Sequence, residues 1–264
     1  MEEVNGEIET KGVAPNVLCD RFSDEGWTRT SVNVPVEMDL KLYVNGKELV
    51  TILCTPVKLN CLVLGFLYAE EVISGTDDVA TMRVCEEESL ADVKLVNQDY
   101  IMPALRTLTS GCGGGISFKA TEMKVESNLT VAPAQVFSLM KLFQEKMELY
   151  QLSGGIHASA LFDSGKLTVL AEDIGRHNTL DKIAGECLLR KVSSRDGVLL
   201  STGRVSSEML LKVAKMQVPI VVSRTSPTER AILLARELGV ALVGYARGSR
   251  LSVYSHPERL GHTT

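Results

Sequence analysis

The pattern of apolar and polar residues differs between the two parts of the chain on either side of Pro133. Between residues 39 and 53, apolar and polar positions alternate on both sides of Asn45-Gly46-Lys47, a pattern typical of a β-hairpin with a tight turn. Thr55-Pro56 precedes an apolar run, and Pro is favoured at the first helical position, so a helix over residues 57–73 is predicted. Two short strand-like runs follow, at 79–85 and 92–97.

After Pro133 the period changes to that of alternating helices and strands. An amphipathic helix is predicted over 134–150, two strands over 157–162 and 167–171, and then helices and strands in turn. The helices fall at 178–190, 207–216 and 227–238, and the strands at 197–201, 219–223, 240–245 and 251–254. Such a β-β-α-β-α-β-α-β order predicts an α/β sheet flanked by helices, with most of its strands parallel.

The same patterns give three units. Residues 1–25 are acidic, contain glycine and proline, and show no sustained period, so a mobile acidic tail is predicted. Residues 26–132 form the predicted smaller α+β domain. Residues 133–264 form the predicted α/β domain.

Composition and charge exclude several classes of protein. The 264 residues are 45% hydrophobic, but no apolar stretch approaches the ~20 residues of a membrane span. The six cysteines form no C-x-x-C pair, which argues against a zinc knuckle or a disulfide framework and favours reduced thiols in the cytoplasm. Residues 196–264 hold 9 Lys and Arg against 5 Asp and Glu, a balance that suits a small phosphorylated ligand better than a nucleic acid.

One cysteine stands in a glycine-rich segment. Cys112 has Gly111 before it and three glycines after it, which remove bulk around the sulfur and permit positive φ angles. An accessible thiol on such a loop could react with two different partners in turn, provided that nearby N–H groups or cations lower its pKa. A glycine-rich turn with an incidental cysteine explains the segment equally well.

Three predicted strand-to-helix loops contain arginine beside small polar residues. The carboxyl ends of parallel strands meet at one crevice, where open α/β sheets bind ligands. Free N–H groups at helix starts and arginine side chains favour phosphate there. The candidate residues are Arg176, His177, Arg204 and Arg224, and Tyr245, Ala246, Arg247, Gly248, Ser249 and Arg250 follow the last crossover strand. Taken alone, the loop at 172–178 is better explained as a simple polar loop with Asn178 as N-cap, and only the convergence of the loops favours a binding site.

A zinc deaminase would have a similar order of strands and helices. Its H-x-E and P-C-x-x-C signature is missing, because Thr179 stands two residues after His177 and no cysteine pair follows. We therefore expect no zinc.

Several segments together resemble the FdhD family of formate dehydrogenase accessory sulfurtransferases. They are residues 57–67, the Cys112 loop, the G-G-I-H-A-S segment at 154–159, the E-D-I-G-R-H-N segment at 172–178 and residues 201–204. The resemblance implies a three-layer αβα domain with a cytidine deaminase-like fold, preceded by the smaller α+β domain. It also implies that Cys112 bears the sulfur and that residues 245–250 bind the cofactor.

The resemblance further implies partners and a reaction. A cysteine desulfurase would supply sulfur as a persulfide, and a homodimer would transfer it to the molybdenum bis-pterin guanine dinucleotide cofactor of formate dehydrogenase. GDP would be a partial mimic of that cofactor. Many members of the family read C-G-x-C, whereas Gly115 stands here at the second cysteine position. The alternative is a chaperone that holds the cofactor and docks on the apo-dehydrogenase without transferring sulfur.

Overall fold

The computed structural model describes residues 13–100 and 123–262. Their strands form a two-stranded, a four-stranded and a six-stranded sheet. The strands are β1 (Asn16–Ser23), β2 (Gly26–Asn33), β3 (Met38–Val44), β4 (Lys47–Cys54), β5 (Val79–Cys85), β6 (Leu90–Leu95), β7 (His157–Asp163), β8 (Lys166–Asp173), β9 (Val198–Ser201), β10 (Ile220–Ser223), β11 (Ala241–Arg247) and β12 (Arg250–Ser255). The helices are α1 (Leu59–Ala69), α2 (Pro133–Lys146), α3 (Glu148–Ser153), α4 (Arg176–Arg190), α5 (Ser207–Lys215) and α6 (Glu229–Leu238).

The two-stranded sheet lies where the sequence predicts a mobile tail. β1 and β2 pair antiparallel from Asn16 and Asn33 to the turn at Gly26, and Val34 N donates to Pro15 O at 3.0 Å beyond them. Residues 13–25 are therefore an ordered hairpin arm and not a tail, while residues 1–12 lie outside the described part of the chain. The pattern missed this arm because most of its positions are exposed on both faces, so no apolar period marks it.

The four-stranded sheet confirms the predicted hairpin and has the order β4-β3-β6-β5. β3 and β4 turn at Asn45 and Gly46, both at positive φ. Helix α1 begins at Leu59, because Lys58 is in the left-handed conformation, so Pro56 is not its first residue as predicted. Nine of the eleven residues of α1 are buried, which places the helix between this sheet and the rest of the molecule.

The six-stranded sheet has the order β12-β11-β10-β9-β7-β8. Parallel pairing is confined to β9, β10 and β11, whereas β7 and β12 pair antiparallel with their neighbours. The prediction of mostly parallel strands holds for strand direction, since β8 to β11 point the same way. Neighbouring strands joined by short turns, β7–β8 and β11–β12, must pair antiparallel.

Two apolar cores cover opposite faces of this sheet. One contains α4, α5 and α6 and the other contains α2, which makes three layers and confirms an α/β architecture. The predicted single helix over 134–150 is interrupted at Met147, between α2 and α3. Helix α6 begins after Thr228, whose side chain caps Ala231 N, two residues later than predicted.

Helix α1 joins the four-stranded sheet to the α/β unit by packing against α4. A Cβ atom added at Gly65 would lie 1.7 Å from Asp181 O, and one added at Gly185 would lie 1.9 Å from Cys61 O. The two backbones therefore touch where both helices have glycine. The described residues before Pro133 also contact the α/β unit, because Val125 N donates to Leu238 O at 2.8 Å.

Candidate functional site

The predicted arginine loops lie at one edge of the six-stranded sheet. β8, β9, β10 and β11 all end at this edge, and each is followed by one of the candidate segments. Arg176 begins α4 after β8, Arg204 follows β9, Arg224 follows β10 and Arg247 ends β11. We call this edge the arginine crevice.

Hydrogen bonds join the loops after β9 and β10. Ser223 Oγ donates to Gly203 O at 2.7 Å, and Arg224 N donates to Ser201 O at 3.1 Å. Gly203 N in turn donates to Ser201 Oγ at 3.1 Å. The backbone of one loop is therefore held against the other, while the side chain of Arg204 remains exposed.

The end of β11 is tied to the loop after β10. Tyr245 N donates to Thr225 O at 3.1 Å, and Arg247 Nε donates to Arg224 O at 2.7 Å. Tyr245 has a φ of +51° and its side chain is 48% exposed. A non-glycine residue at positive φ is uncommon and marks a local constraint, and here it coincides with an exposed tyrosine two residues before Arg247.

The other side of the crevice is a corner formed by Gly203, Arg176 and His157. A Cβ atom added at Gly203 would lie 3.0 Å from Arg176 Cβ and 3.3 Å from His157 Nδ1. Glycine thus allows the β9 loop to approach both side chains closely. The sequence pattern does not mark His157 as a binding residue, although it lies within the G-G-I-H-A-S segment.

His177 is held by helix α5. Its Nε2 lies 3.3 Å from Ser206 Oγ and 3.6 Å from a carboxylate oxygen of Glu208, and its side chain is 14% exposed. Burial, followed by the charges of Lys212 and Arg176, lowers the pKa of His177 to about 3. The imidazole is therefore neutral at pH 7. The sequence predicts that His177 contacts a ligand, whereas its contacts in the structure link α4 to α5.

Asp173 supports the start of α4 from the interior. Its carboxylate accepts hydrogen bonds from Thr55 N at 3.0 Å and Gly175 N at 2.8 Å, and from Asn178 Nδ2 at 2.8 Å. Lys182 Nζ lies 2.6 Å from it, and neither side chain is exposed. The E-D-I-G-R-H-N segment contains Asp173 and two of these partners, Gly175 and Asn178, but Thr55 is 118 positions away and could not be read from the segment.

Its neighbour Glu172 has a different structural role. The carboxylate of Glu172 accepts from Leu149 N at 3.1 Å and from Tyr150 N at 2.7 Å, which holds the first turn of α3 against β8. Burial raises the pKa of Glu172 although these two hydrogen bonds oppose the shift.

Buried hydroxyl groups line the floor under the corner. Ser159 Oγ lies 2.7 Å from Thr179 Oγ1 and donates to Ser201 Oγ at 3.2 Å. Thr179 Oγ1 donates to Arg176 O at 2.7 Å. This chain fixes the first turn of α4 relative to β7 and β9, and with it the backbone of Arg176.

Cys112 and its glycine-rich segment lie outside the described residues. Among the cysteines that the structure describes, Cys54, Cys61 and Cys187 are buried, as predicted, and Cys19 and Cys85 are partly exposed. Burial raises the pKa of Cys54 to about 12 and that of Cys187 to about 11, which makes both thiols poor nucleophiles.

Within residues 13–100 and 123–262, no three His, Cys, Asp or Glu side chains are grouped so that they could hold a metal ion. None of the helices described is long and apolar enough to cross a membrane.

The fold and the crevice define an α/β protein with a cationic edge built from loops, beside a smaller α+β unit. The FdhD/NarQ family model matches residues 35–261, and the chain belongs to this family. It is similar to the sulfur carrier protein FdhD of Bacillus subtilis (strain 168), 39% identical over 251 residues that cover 91% of this chain and 95% of the relative. The protein of the same name from Bacillus pumilus is 37% identical over 252 residues, which cover 92% and 96%.

A solved structure agrees with this assignment. The crystal structure of a formate dehydrogenase accessory protein from Desulfotalea psychrophila matches with a TM-score of 0.79 and 25% identity, covering 94% of this chain and 99% of the other. The family expected from the sequence motifs is confirmed.

Proposed function

We propose that this chain is a sulfurtransferase that carries sulfur as a persulfide on Cys112 and delivers it to the molybdenum bis-pterin guanine dinucleotide used by a formate dehydrogenase. Relatives named sulfur carrier protein and a structural neighbour named formate dehydrogenase accessory protein support the class of function. The observation that carries the proposal is the arginine crevice, in which loops from four strands meet at one edge.

The reaction begins with the Cys112 thiolate. It attacks the outer sulfur of a persulfide on a cysteine desulfurase, an S–S bond forms on Cys112, and the desulfurase thiolate leaves. In the second step the acceptor supplies the electron pair for its new bond to the outer sulfur, the S–S bond on Cys112 breaks, and the Cys112 thiolate leaves with the electrons of that bond, so the acceptor is oxidised by two electrons. One cysteine is sufficient for this cycle, so Gly115 in place of a second thiol does not prevent it.

The acceptor is a substrate whose two nucleotide halves contain pyrophosphate groups. Arg176, Arg204, Arg224 and Arg247 supply cationic donors for them, and the exposed ring of Tyr245 suits stacking on a flat heterocycle. Gly203 lets the β9 loop lie close to Arg176 and His157, since a Cβ atom added there would be 3.0 Å from Arg176 Cβ. The residues of the crevice therefore fit a guanine nucleotide, and the αβα layers support a deaminase-like fold for this unit.

The exposed hairpin arm supports a homodimer. Leu18, Phe22 and Trp27 are 64%, 66% and 73% exposed, and a two-stranded sheet cannot bury such residues by itself. Asp20 lies directly opposite Arg29 on the same ribbon, so two copies related by a twofold axis could pair charges as well as apolar side chains. We propose that a second copy of this chain covers the arm.

The cytoplasm is the proposed compartment, because a thiol carrier needs a reducing environment. All five cysteines of the described part of the chain are free. The proposed partners are the cysteine desulfurase and formate dehydrogenase, and we propose no role for nucleic acid or membrane.

The first test is the mass of the protein after incubation with a desulfurase and cysteine. We expect a gain of one sulfur atom, and we expect Cys112→Ser to abolish it because a hydroxyl cannot hold a transferable sulfur. A variant with the other five cysteines replaced is the control and should still load. No gain of sulfur by the unchanged protein, together with GDP binding, would instead support the chaperone function.

The second test is calorimetric titration with GDP. We expect weak binding, and Arg247→Ala should weaken it by about 1.5–3 kcal/mol if a hydrogen bond to a charged group is lost. Arg83→Ala is the matched control, because Arg83 lies on the four-stranded sheet and contacts Glu88. Equal affinities of the three proteins would remove Arg247 from the site.

A further inference from the structure

His157 lies at the arginine crevice although its strand, β7, runs opposite to the strands that end there. It is the first residue of β7, which runs antiparallel to β9, and Ser159 pairs with Ser201. The start of β7 and the end of β9 are therefore neighbours, and this places the imidazole beside Gly203 with Nδ1 3.3 Å from the position of an added Cβ atom.

The imidazole of His157 is half-buried and available. Its ring nitrogens make no hydrogen bond or ion pair with any residue in the described ranges, whereas His177 nearby contacts Ser206 and Glu208. A partly buried polar ring normally has a partner. His157 thus offers a hydrogen-bonding group to a ligand in the corner.

The charged groups around His157 come from each neighbouring element. Arg176 on α4 and Asp173 on β8 act on the ring, His177 on α4 interacts electrostatically with it, and Arg204 is exposed on the β9 loop. Asp173 is already paired with Lys182. Burial, followed by the charge of Arg176, lowers the pKa of His157, and Asp173 only partly opposes this shift.

An anion in the corner would reverse this balance. A phosphate bound beside Arg176 places negative charge next to the ring, and an opposite charge nearby favours the protonated imidazole. The proton comes from solvent, and no bond between heavier atoms changes. Arg176 cannot take part in such a proton exchange, because arginine stays charged at all accessible pH values.

We propose that His157, Arg176 and Gly203 form a phosphate subsite in which the unbonded imidazole of His157 takes up a proton when the phosphate of a nucleotide binds. The inference rests on the proposed function, because the phosphate is that of the guanine nucleotide in the crevice. It adds a binding residue on β7 and a dependence of affinity on pH.

The sign of the dependence follows from the direction of the shift. The free protein has its His157 pKa lowered and the complex has it raised, so the complex binds more protons between the two values. Affinity for the phosphate ligand therefore increases as pH falls from 8 to 6.5. If only arginines held the phosphate, the protein would add no such pH dependence to the affinity, because the charge of arginine does not change.

The test is calorimetric titration of GDP at pH 6.5 and pH 8, in pairs of buffers with different ionisation enthalpies. The buffer dependence of the heat gives the number of protons bound, and comparison with His157→Gln removes the contribution of the GDP phosphate itself. We expect the unchanged protein to take up more protons than His157→Gln at pH 6.5. The affinity at pH 6.5 divided by the affinity at pH 8 should be about threefold larger for the unchanged protein than for His157→Gln. This lies within the tenfold change that one pKa unit allows.

His262→Gln is the matched control, because His262 is exposed near the C-terminus, and it should behave as the unchanged protein. An NMR titration of the four histidines in the unsubstituted protein, with and without GDP, tests the same point if His157→Gln does not fold. GDP binding with equal proton uptake in all proteins, or with no histidine titration altered, overturns the inference and leaves the proposed function intact. If neither GDP nor pyrophosphate binds, both the inference and the proposed function are overturned.

Discussion

At the scale of single residues, the interior ion pair of Asp173 and Lys182 supports the crevice. The carboxylate collects N–H groups from the end of β4 and from the turn before α4, and Lys182 also donates to Thr55 O at 3.0 Å. Burying both charges costs free energy, and the pair is tolerated because every oxygen and proton has a partner. Its role is to hold the first turn of α4, and therefore Arg176, in place.

Lys182→Met should lower the free energy of unfolding by about 3–5 kcal/mol, because it leaves the Asp173 carboxylate buried without a counter-charge. Urea unfolding measures the loss. Lys58→Met is the matched control: its Nζ also lies 2.6 Å from a carboxylate, that of Glu186, but the side chain of Lys58 is 29% exposed, so the loss should be clearly smaller.

The double variant Asp173→Asn, Lys182→Met removes both charges. We expect it to be less destabilised than the sum of the two single variants. A Lys182→Met protein as stable as the unchanged chain would show that the pair has no structural role.

At the scale of elements, the contact of α1 with α4 joins the two units of the molecule. Helix packing at ordinary separations leaves room for side chains between the axes, but here the glycines bring backbone against backbone. The backbone carbonyl of Asp181 faces Gly65. The carboxylate of Asp181 accepts hydrogen bonds from Lys212 Nζ at 2.6 and 2.7 Å. The same turn of α4 is therefore fixed by α1 on one side and by α5 on the other.

Gly65→Ala should destabilise the protein by about 3 kcal/mol or more, since its methyl group would overlap the Asp181 carbonyl and the helices would have to separate. Thermal unfolding provides the measurement. Gly75→Ala is the control, because a Cβ atom added there meets nothing within 4 Å. Equal unfolding temperatures of the two variants would contradict the close approach of α1 to α4.

At the scale of the whole molecule, the hairpin arm is the described region with the most exposed large apolar side chains. Phe22 and Trp27 pair across the ribbon near its turn, with ring centroids 5.2 Å apart, and neither belongs to any of the three apolar cores of the described residues. Aromatic residues are enriched where proteins associate. The arm therefore has the composition of an interface, which is the reason for proposing a dimer through it.

Trp27→Ser should shift the protein from dimer to monomer, because the largest apolar side chain of the arm would be lost. Sedimentation equilibrium gives the mass directly. Leu233→Ser is the matched control, since Leu233 is 51% exposed on α6 and lies outside the arm. A dimer that persists in Trp27→Ser at the same concentration would place the interface elsewhere.

Local patterns predicted much of the order of elements. The helix and strand positions after residue 133 agree with the structure to within a few residues, because apolar periodicity reports which face of each element is buried. The loops with Arg176, Arg204 and Arg224 could be assigned to one edge for a related reason, since consecutive crossovers place strand ends together. The motifs likewise identified the family.

Tertiary structure alone decided the features that depend on partners distant in sequence. Thr55 N donates to Asp173 from 118 positions away, and no local period links these two residues or Gly65 with Asp181. Neither the support of the ion pair by Thr55 nor the glycine contact of α1 with α4 could therefore be predicted. The arm has no buried face and thus no apolar pattern. His157 entered the crevice only because β7 runs antiparallel to β9, which sequence periodicity does not specify: the direction of a strand is set by its pairing with other strands.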